Sequence, residues 1–572
     1  MAFTNIEADQ DFEDSRRSLQ FYAVFPGLCF SILLVALDTS IVGTALPTIV
    51  NNLGSGALYI WIVNGYFLSV AVVQPLAGQM ANIFGRRAPM LAFLALFTLG
   101  SGLCAGASST EMLIAARIIQ GLGGGGISVL VSIIVGDLVP LRYRQKYMAI
   151  VMSFFALGTF IGPIIGGAIV TRVSWRWTFY INLPVGGVAL LLVFLFLKVR
   201  HPSDGAIIPR LISLDWSGHV LLSASVVSVL ISLTWGGTQY PWDSGRVLAP
   251  LILGILGLIF YLLHQQYASK DPSMPLRLFG NRTSLLGFVL TFLHGMIMSW
   301  FSFFIPVYFQ VLKEDSPLLA GVNVLALAIP FTPAGILGGL IVTWSGRYKP
   351  VLIAGLALLP IATGCLTLLT AETPTEQWAV FQVIAGLGGG LALTSTLPAI
   401  QAPLGEDDLA AATAAWAFVR SFGMIWGGSI PAAVFNSKVD SLVSRIDNAQ
   451  IRSLLVLGGA YEHATRLFIT SFNDQPALKA QIISVYTDAL QETWYVLLAF
   501  ACITSPIALF LREIPLRTRL ETQYGLNESK IMVEPANMDA SLGNSAVAME
   551  LEPQDEPTEI SGASVHSQGV TR

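Results

Sequence analysis

Long apolar runs separated by short polar segments dominate the chain. A run of about twenty apolar residues forms a helix roughly 30 Å long, enough to cross the hydrocarbon core of a bilayer. Because the runs lack amphipathic alternation, they indicate membrane-spanning helices. The pattern predicts fourteen spans, near residues 22–48, 58–81, 89–107, 111–136, 147–170, 178–197, 216–236, 248–267, 284–309, 317–343, 351–369, 377–400, 409–434 and 493–511.

Composition favours the same class of protein. Of 572 residues, 54% are hydrophobic and 12% are charged, about half the charge of a soluble protein. We therefore predict an all-α polytopic membrane protein. With a net charge of −4 and no basic, aromatic-interleaved patch, no nucleic-acid partner is expected. The four cysteines lie far apart in apolar runs, so we expect neither a disulfide framework nor a metal site.

The distribution of Lys and Arg predicts the orientation of the chain. If the N-terminus is cytosolic, 20 of the 31 basic residues lie in cytosolic segments and 9 in outer loops, five of these in one long outer loop at 436–490. This bias favours a topology in which the N-terminus and the C-terminus both lie in the cytosol. We expect a multi-pass monomer in the plasma membrane, with the vacuolar membrane as the alternative. The predicted segments are a cytosolic tail (1–20), a six-helix bundle (21–200), cytosolic segments with two extra helices (201–280), a second bundle (281–515) and an acidic disordered tail (516–572).

The chain also repeats itself in parallel, with spans 1–6 corresponding to spans 9–14. Two six-helix bundles with a site between them are typical of secondary transporters. Three pairs of markers occur in order at offsets of 259, 261 and 265 residues: Leu46-Pro47 with Ile305-Pro306, Gly85-Arg86 with Gly346-Arg347, and Gly121-Leu-Gly-Gly-Gly with Gly386-Leu-Gly-Gly-Gly.

Four short motifs carry a family resemblance. The stretch from Gly78 to Arg87 resembles the loop signature of the major facilitator superfamily, although Asn82 stands where that loop usually has Asp. The stretch from Arg117 to Gly121 is similar to the fourth-span motif of the superfamily. The glycine-rich stretch in the fifth span resembles a motif associated with antiporters, and the stretch from Leu37 to Pro47 resembles the first-span motif of fourteen-span drug:proton antiporters. The resemblance is closest to fungal toxin and multidrug efflux pumps. The fifth-span positions are Gly158, Gly162, Pro163, Gly166 and Gly167.

Three polar residues within spans are candidates for proton coupling. A carboxylate at Asp38 costs several kcal/mol in the membrane unless it is neutralised, paired or hydrated, so it could take up a proton from one side and release it to the other. Arg117 keeps its proton, and the resemblance assigns it to coupling. His294, in the counterpart of the first span, is of a type that exchanges protons near neutral pH. The alternatives are an Asp38–Arg117 pair that only fixes packing and a histidine that only packs.

The loop and glycine motifs suggest conformational roles. Asp137 ends the fourth span on the same side as Arg86 and Arg87, and a pair there could latch one arrangement of the bundle. The alternative is that Arg86 and Arg87 only reflect the usual excess of basic residues on the cytosolic side of a membrane protein, which requires no pairing with Asp137. The fifth-span glycines and proline are expected to form a hinge or a seal.

Aromatic and amide groups within spans are candidates for a substrate cavity. Large, mostly apolar ligands suit such walls, with a few polar groups to orient them. Most of these side chains could equally face lipid or the membrane interface. The candidates are Trp61, Tyr66, Gln74, Gln120, Trp300, Phe304, Tyr308, Asn323, Gln382 and Arg420.

The glycine run from Gly121 to Gly126 formally matches a dinucleotide motif, but no strand precedes it and no Lys-Ser or Lys-Thr follows it. We expect no ATP site, no cofactor and no enzyme activity, so transport would use a proton gradient. The predicted function is proton-coupled efflux of amphipathic organic compounds. One alternative is uptake, for instance of siderophores. Another is a membrane sensor that transports nothing.

Overall fold

Fourteen long helices follow one another in the part of the chain that the structure describes. The computed structural model describes residues 19–53, 59–198, 207–236, 240–456 and 458–517. Within these residues, thirteen helices are long and apolar enough to cross a membrane. The 32-residue helix Leu141–Arg172 completes the set, which confirms the predicted fold class. The helices are α1 Leu19–Leu53, α2 Tyr59–Phe84, α3 Arg87–Ala105, α4 Thr110–Leu138, α5 Leu141–Arg172, α6 Asn182–Phe196, α7 Trp216–Trp235, α8 Gly245–Tyr267, α9 Arg282–Val311, α10 Pro317–Ser345, α11 Lys349–Leu366, α12 Thr375–Gln401, α13 Leu409–Leu442 and α14 Pro476–Leu509.

The segment predicted as a long outer loop, 436–490, is shorter than expected. Helix α13 continues to Leu442 and α14 begins at Pro476. Charged residues end the apolar pattern there without ending the helices, because charges on the two helices pair: Lys438 Nζ lies 3.2 Å from Glu492 Oε2. The connection between the helices contains the short helices Ala449–Leu455, Gly459–Glu462 and Arg466–Thr470.

The helices form two bundles, α1–α6 and α9–α14, with the same internal neighbours. In the first bundle α1 packs on α5, and α4 packs on both α2 and α3. In the second bundle α9 packs on α13, and α12 packs on both α10 and α11. Each bundle has its own hydrophobic core. The parallel repeat seen in the sequence is therefore a repeat of helix packing.

Glycines at the repeated positions have matching structural roles. Gly85 and Gly346 follow α2 and α10 with φ of 78° and 68°, left-handed conformations that favour glycine. A Cβ on Gly121 of α4 would lie 2.5 Å from the backbone oxygen of Tyr66 on α2. Gly386 of α12 meets the backbone of α10 in the same way. Close packing of helices thus explains both glycine runs.

The inserted helices α7 and α8 pack on each other, and α7 also contacts α2 and α13. A polar cluster fastens them to α2. Asp215 caps α7 by accepting a hydrogen bond from Gly218 N at 2.9 Å, and it also accepts one from Gln265 of α8. Burial acts to raise the pKa of Asp215, but these hydrogen bonds hold it below its usual value. His219 of α7 donates to Gln79 of α2 at 3.1 Å.

Candidate functional site

A carboxylate with three hydrogen-bond donors lies inside the first bundle. Asp38 of α1 is fully buried. Its Oδ2 accepts from Arg117 Nη1 of α4 at 2.7 Å. Its Oδ1 accepts from Gln120 Nε2 at 2.7 Å and from Asn182 Nδ2 of α6 at 2.8 Å. Both oxygens act as acceptors, and the arginine supplies the opposite charge that a buried carboxylate requires.

The partners of Asp38 are held by further contacts. Gln120 donates to Ser101 Oγ of α3 at 2.7 Å and accepts from Arg117 Nη1 at 2.7 Å. Arg117 Nε donates to the backbone oxygen of Ile62 at 3.3 Å, and the guanidinium lies 4.1 Å from the centre of the Tyr66 ring. Because a guanidinium does not release its proton, Arg117 brings a permanent positive charge to the cluster.

Sequence reasoning did not select two members of this cluster, Asn182 and Ser101. Both side chains are fully buried within the bundle. A buried polar group without a partner is costly, so a polar residue inside a span should have a polar neighbour. That signal exists in the sequence, but it does not say which helices meet.

The fifth-span glycines bring α5 against α1 on both sides of Asp38. A Cβ on Gly162 would lie 2.5 Å from the Cβ of Ser40, and one on Gly158 would lie 3.0 Å from the backbone oxygen of Leu33. The motif therefore makes close contact inside one bundle, and its role as a hinge or seal stays a prediction. Of the other motif residues, Gly166 is buried, and Pro163 and Gly167 lie outside the residues whose packing the structure describes.

His294 lies in the other bundle. Its side chain is buried on α9, and its Nε2 donates to the backbone oxygen of Gly389 on α12 at 3.0 Å. A histidine that bonds a backbone carbonyl in this way joins two helices, which fits the packing alternative. Its role in proton coupling stays a prediction.

Three aromatic candidates for the cavity lie in the core of the second bundle instead. Trp300, Phe304 and Tyr308 are fully buried along one face of α9. Phe304 stacks on Tyr461 with ring centres 5.2 Å apart, and the Tyr308 hydroxyl donates to the backbone oxygen of Thr370 at 3.1 Å. A four-residue spacing places all three on one helix face, and this face packs inward in the described arrangement.

The remaining cavity candidates are spread over several helices. Gln74 of α2 and Gln382 of α12 are buried, and the structure describes no partner for their Oε1 atoms. Asn323 of α10 donates to Asp315 at 2.8 Å. Trp61 is half-buried near the start of α2. Tyr66 and Gln120 belong to the Asp38 cluster, so the structure does not bring the candidates together as one wall.

The loop arginines have different partners. Arg86 forms a two-pronged pair with Asp137, with Nε–Oδ2 at 2.6 Å and Nη2–Oδ1 at 3.3 Å. Arg87 does not join this pair, because its Nη2 donates to the backbone oxygen of Phe194 at 2.6 Å. Asn82 Oδ1 lies 3.5 Å from Arg86 Nη1, so the amide accepts where the superfamily loop usually offers a carboxylate. The predicted latch is thus a pair of Arg86 with Asp137 inside the first bundle.

The two bundles meet at one end of the molecule, which holds the α2–α3, α4–α5 and α10–α11 loops and is here named the α2–α3 end. A Cβ on Gly78 of α2 would lie 2.5 Å from the Cβ of Ala414 on α13. Arg144 of α5 donates to Gln401 of α12 at 2.7 Å, and Gln401 donates to Thr413 of α13 at 2.8 Å. All three of these polar side chains are buried. These contacts close the space between the bundles at this end.

A second set of contacts at the α2–α3 end involves the start of α5. Arg142 Nε donates to the backbone oxygen of Thr343 at the end of α10, at 3.3 Å. A Cβ on Gly339 of α10 would lie 3.3 Å from the backbone oxygen of Gln145. In the sequence, the basic residues that begin α5 indicate only the usual excess of positive charge on the cytosolic side. In the structure they also join the bundles.

We expect Arg144→Gln to open the α2–α3 end. Losing a hydrogen bond to a charged group costs about 1.5–3 kcal/mol, so the ratio of closed to open molecules should fall roughly tenfold or more. Electron–electron resonance between spin labels at the exposed positions Lys146 and Arg347 should report a longer distance. Arg246→Gln is the control, because Arg246 contacts Tyr240 in the α7–α8 connection. An unchanged distance distribution in Arg144→Gln would contradict the assignment.

Known proteins of similar sequence cover nearly the whole chain. It is 44% identical over 527 residues to an efflux pump, FUS6, of Gibberella moniliformis, covering 92% of this chain and 94% of that protein. It is 46% identical over 519 residues to the MFS efflux transporter aclA of Aspergillus oryzae, covering 90% and 93%. It is 44% identical over 513 residues to the acurin A biosynthesis cluster MFS-type transporter of Aspergillus aculeatus, covering 89% and 92%.

Solved structures share the fold at low identity. The proton:xylose symporter XylE, bound to 6-bromo-6-deoxy-D-glucose, superposes with a TM-score of 0.52 at 13% identity, covering 88% of this chain and 98% of that one. The human organic anion transporter MFSD10 superposes with a TM-score of 0.53 at 16% identity, covering 84% and 100%. The sequence pattern that defines the Major Facilitator Superfamily matches residues 28–428. The chain belongs to the Major Facilitator Superfamily.

Proposed function

We propose that this protein exports small amphipathic organic compounds in exchange for protons. Membership of the superfamily and long, similar relatives named as efflux pumps support export of a toxin or secondary metabolite. The observation that supports proton coupling is Asp38, a buried carboxylate paired with Arg117 on a helix that the α5 glycines contact before and after it. We further propose that the protein is monomeric and spans the plasma membrane several times.

Protonation of Asp38 would change the site in a defined way. A neutral carboxyl group no longer balances the charge of Arg117, whose guanidinium keeps its proton. Arg117 Nη1 then needs another acceptor, either water or an oxygen of the substrate. Protonation of Asp38 thereby changes which acceptors Arg117 binds, and this differential interaction would let the proton bias the bundle towards one of its two arrangements.

The close α1–α5 contact would carry this change to the bundle. Gly158 and Gly162 leave no space between the helices beside Asp38. A shift of α1 therefore moves α5, whose other end holds Arg144 at the contact between the bundles. In the predicted orientation the α2–α3 end faces the cytosol, so the described arrangement is the outward-facing one. Rocking of the bundles would then open the cytosolic side.

A proton gradient is sufficient for such export. One proton moving through ~100 mV supplies ~2.3 kcal/mol, and one pH unit adds ~1.4 kcal/mol. The sum of ~3.7 kcal/mol supports roughly a 500-fold gradient of a neutral substrate.

Expression in a host that lacks its own efflux pumps tests the proposal. Cells loaded with an amphipathic dye should lose it faster with this protein than without it, and a protonophore should abolish the difference. Dye accumulation would favour uptake instead. No change in either flux, together with no effect of Asp38→Asn, would refute transport and favour the sensor alternative.

A further inference from the structure

A second arginine within the membrane spans differs from Arg117 in its surroundings. Arg420 lies in α13 and is half-buried. Its Nε is buried, and the described residues offer it no hydrogen-bond partner. The structure also describes no carboxylate in an ion pair with it, whereas Arg117 lies 2.7 Å from Asp38. The second bundle therefore holds a charge that lacks a counter-charge within the described part of the chain.

The stem of Arg420 is fixed by its neighbours. A Cβ on Gly295 of α9 would lie 3.3 Å from the Cγ of Arg420, so the arginine side chain passes close to that helix. Its guanidinium lies 5.1 Å from the centre of the Trp416 ring, and the indole N–H of Trp416 donates to Thr396 of α12 at 3.0 Å. A ring face attracts a guanidinium weakly and leaves its N–H donors unused. Arg420 is thus positioned, but its hydrogen-bonding capacity is not filled.

Arg420 belongs to α13, a helix of the second bundle that contacts α2 of the first. Thr413 belongs to the buried chain of hydrogen bonds that joins Gln401 to Arg144 of the first bundle. Residues seven apart lie on nearly the same face of a helix, and about 10 Å apart along it. Arg420 therefore lies about two turns beyond the closed α2–α3 end, on the same face of α13. Trp416, whose ring lies beside the Arg420 guanidinium, packs partly against the core of the first bundle.

We propose that Arg420 binds an acidic oxygen group of the exported compound, with a carboxylate as its simplest form. This inference rests on the proposed export function and adds a chemical class to its substrates. A guanidinium within a membrane protein stays charged and needs an acceptor. Its planar fork of donors matches the two oxygens of a carboxylate. The aromatic side of Trp416 would lie against the apolar part of the same ligand.

Binding of a matched acid and amide tests the proposal. The probes are 1-pyrenebutyric acid and 1-pyrenebutyramide, which share the apolar ring and differ in charge. Energy transfer from tryptophan to pyrene would measure their binding to the full chain in lipid nanodiscs, with empty nanodiscs as background. We expect the wild type to bind the acid at least tenfold more tightly than the amide. Arg420→Gln should abolish this preference while amide binding changes less than about twofold.

Two further variants separate the charge from the fold. Arg420→Lys keeps the charge without the fork and should retain about a threefold preference for the acid. If Arg420→Gln yields too little folded protein, the reduced preference of Arg420→Lys for the acid still tests the proposal. Arg466→Gln, at an exposed arginine between α13 and α14, should bind both probes like the wild type.

The outcomes distinguish this inference from the proposed function. A wild type that binds the acid no better than the amide would overturn the inference. So would an acid preference that survives in Arg420→Gln, since water or an inorganic ion would then be the partner of the arginine. A clear Arg420-dependent preference without proton-driven transport would refute export and leave the anion site in place.

Discussion

Asp38→Asn is expected to abolish uphill, proton-driven export while leaving exchange of substrate down its own gradient measurable. The amide cannot take up and release a proton, so the roughly 500-fold gradient available from ~3.7 kcal/mol should fall to about onefold. Reconstituted vesicles with an imposed pH gradient measure uphill transport, and counterflow without that gradient measures exchange. Retention of uphill export by Asp38→Asn would exclude Asp38 as the coupling group.

The same substitution should also reduce stability. It leaves Arg117 buried without its counter-charge, and breaking a buried pair in this way typically costs about 3–5 kcal/mol. The double variant Asp38→Asn with Arg117→Gln removes both charges, so it should regain most of that stability and remain uncoupled. This pair of results separates loss of coupling from loss of fold.

Asp488→Asn is the matched control for Asp38→Asn. Asp488 forms an ion pair of 2.7 Å with Arg445 at an exposed position. Exposed pairs contribute at most about 1 kcal/mol, so this variant should fold and transport like the wild type. A loss of coupling in Asp488→Asn would show that the assay responds to general damage.

Gly162→Leu is expected to reduce export at least tenfold and to lower the amount of folded protein. The Cβ of any larger residue would lie 2.5 Å from the Cβ of Ser40, so α5 must move away from α1. Overpacking of this kind costs about 1–3 kcal/mol or more. The movement would displace Asp38 from Arg117, because α1 carries the carboxylate. Measurements of export and of monodisperse protein after extraction would test both effects.

Gly187→Leu offers the same chemical change at a harmless position. Gly187 is exposed on α6, and a Cβ there would meet no atom within 4 Å. It should therefore behave like the wild type. Normal export by Gly162→Leu would mean that the fifth-span motif does not depend on its close contact with α1.

The fold could be predicted from the sequence largely because a bilayer demands long apolar helices. Fourteen runs, their repeat and the inserted pair follow from that demand and from three glycine and proline markers. The ends of the helices were harder. At Lys438 and Arg142 the apolar pattern stops while the helix continues, because paired or helix-joining charges extend it beyond the membrane.

The site was predictable where one strong principle applied. A carboxylate and an arginine inside spans must find partners, so Asp38 and Arg117 could be expected to meet. Asn182 and Arg144 were missed because their partners depend on which helices touch, which a single sequence does not contain. Phe304 was predicted for a cavity but packs in the core of the second bundle in the described arrangement, for a related reason. Periodicity identifies the face of α9 on which an aromatic lies, but not whether the face points to a cavity or to a core.

The acidic cargo proposed for Arg420 has an electrical consequence. A monovalent acid leaving the cell and a proton entering it carry current in the same direction, so each exchange would move two elementary charges. A membrane voltage of ~100 mV then contributes ~4.6 kcal/mol per cycle, twice its contribution for a neutral cargo. The resting voltage would outweigh the pH difference as a source of energy. The current measured per exported molecule would report the charge of the cargo before its structure is known.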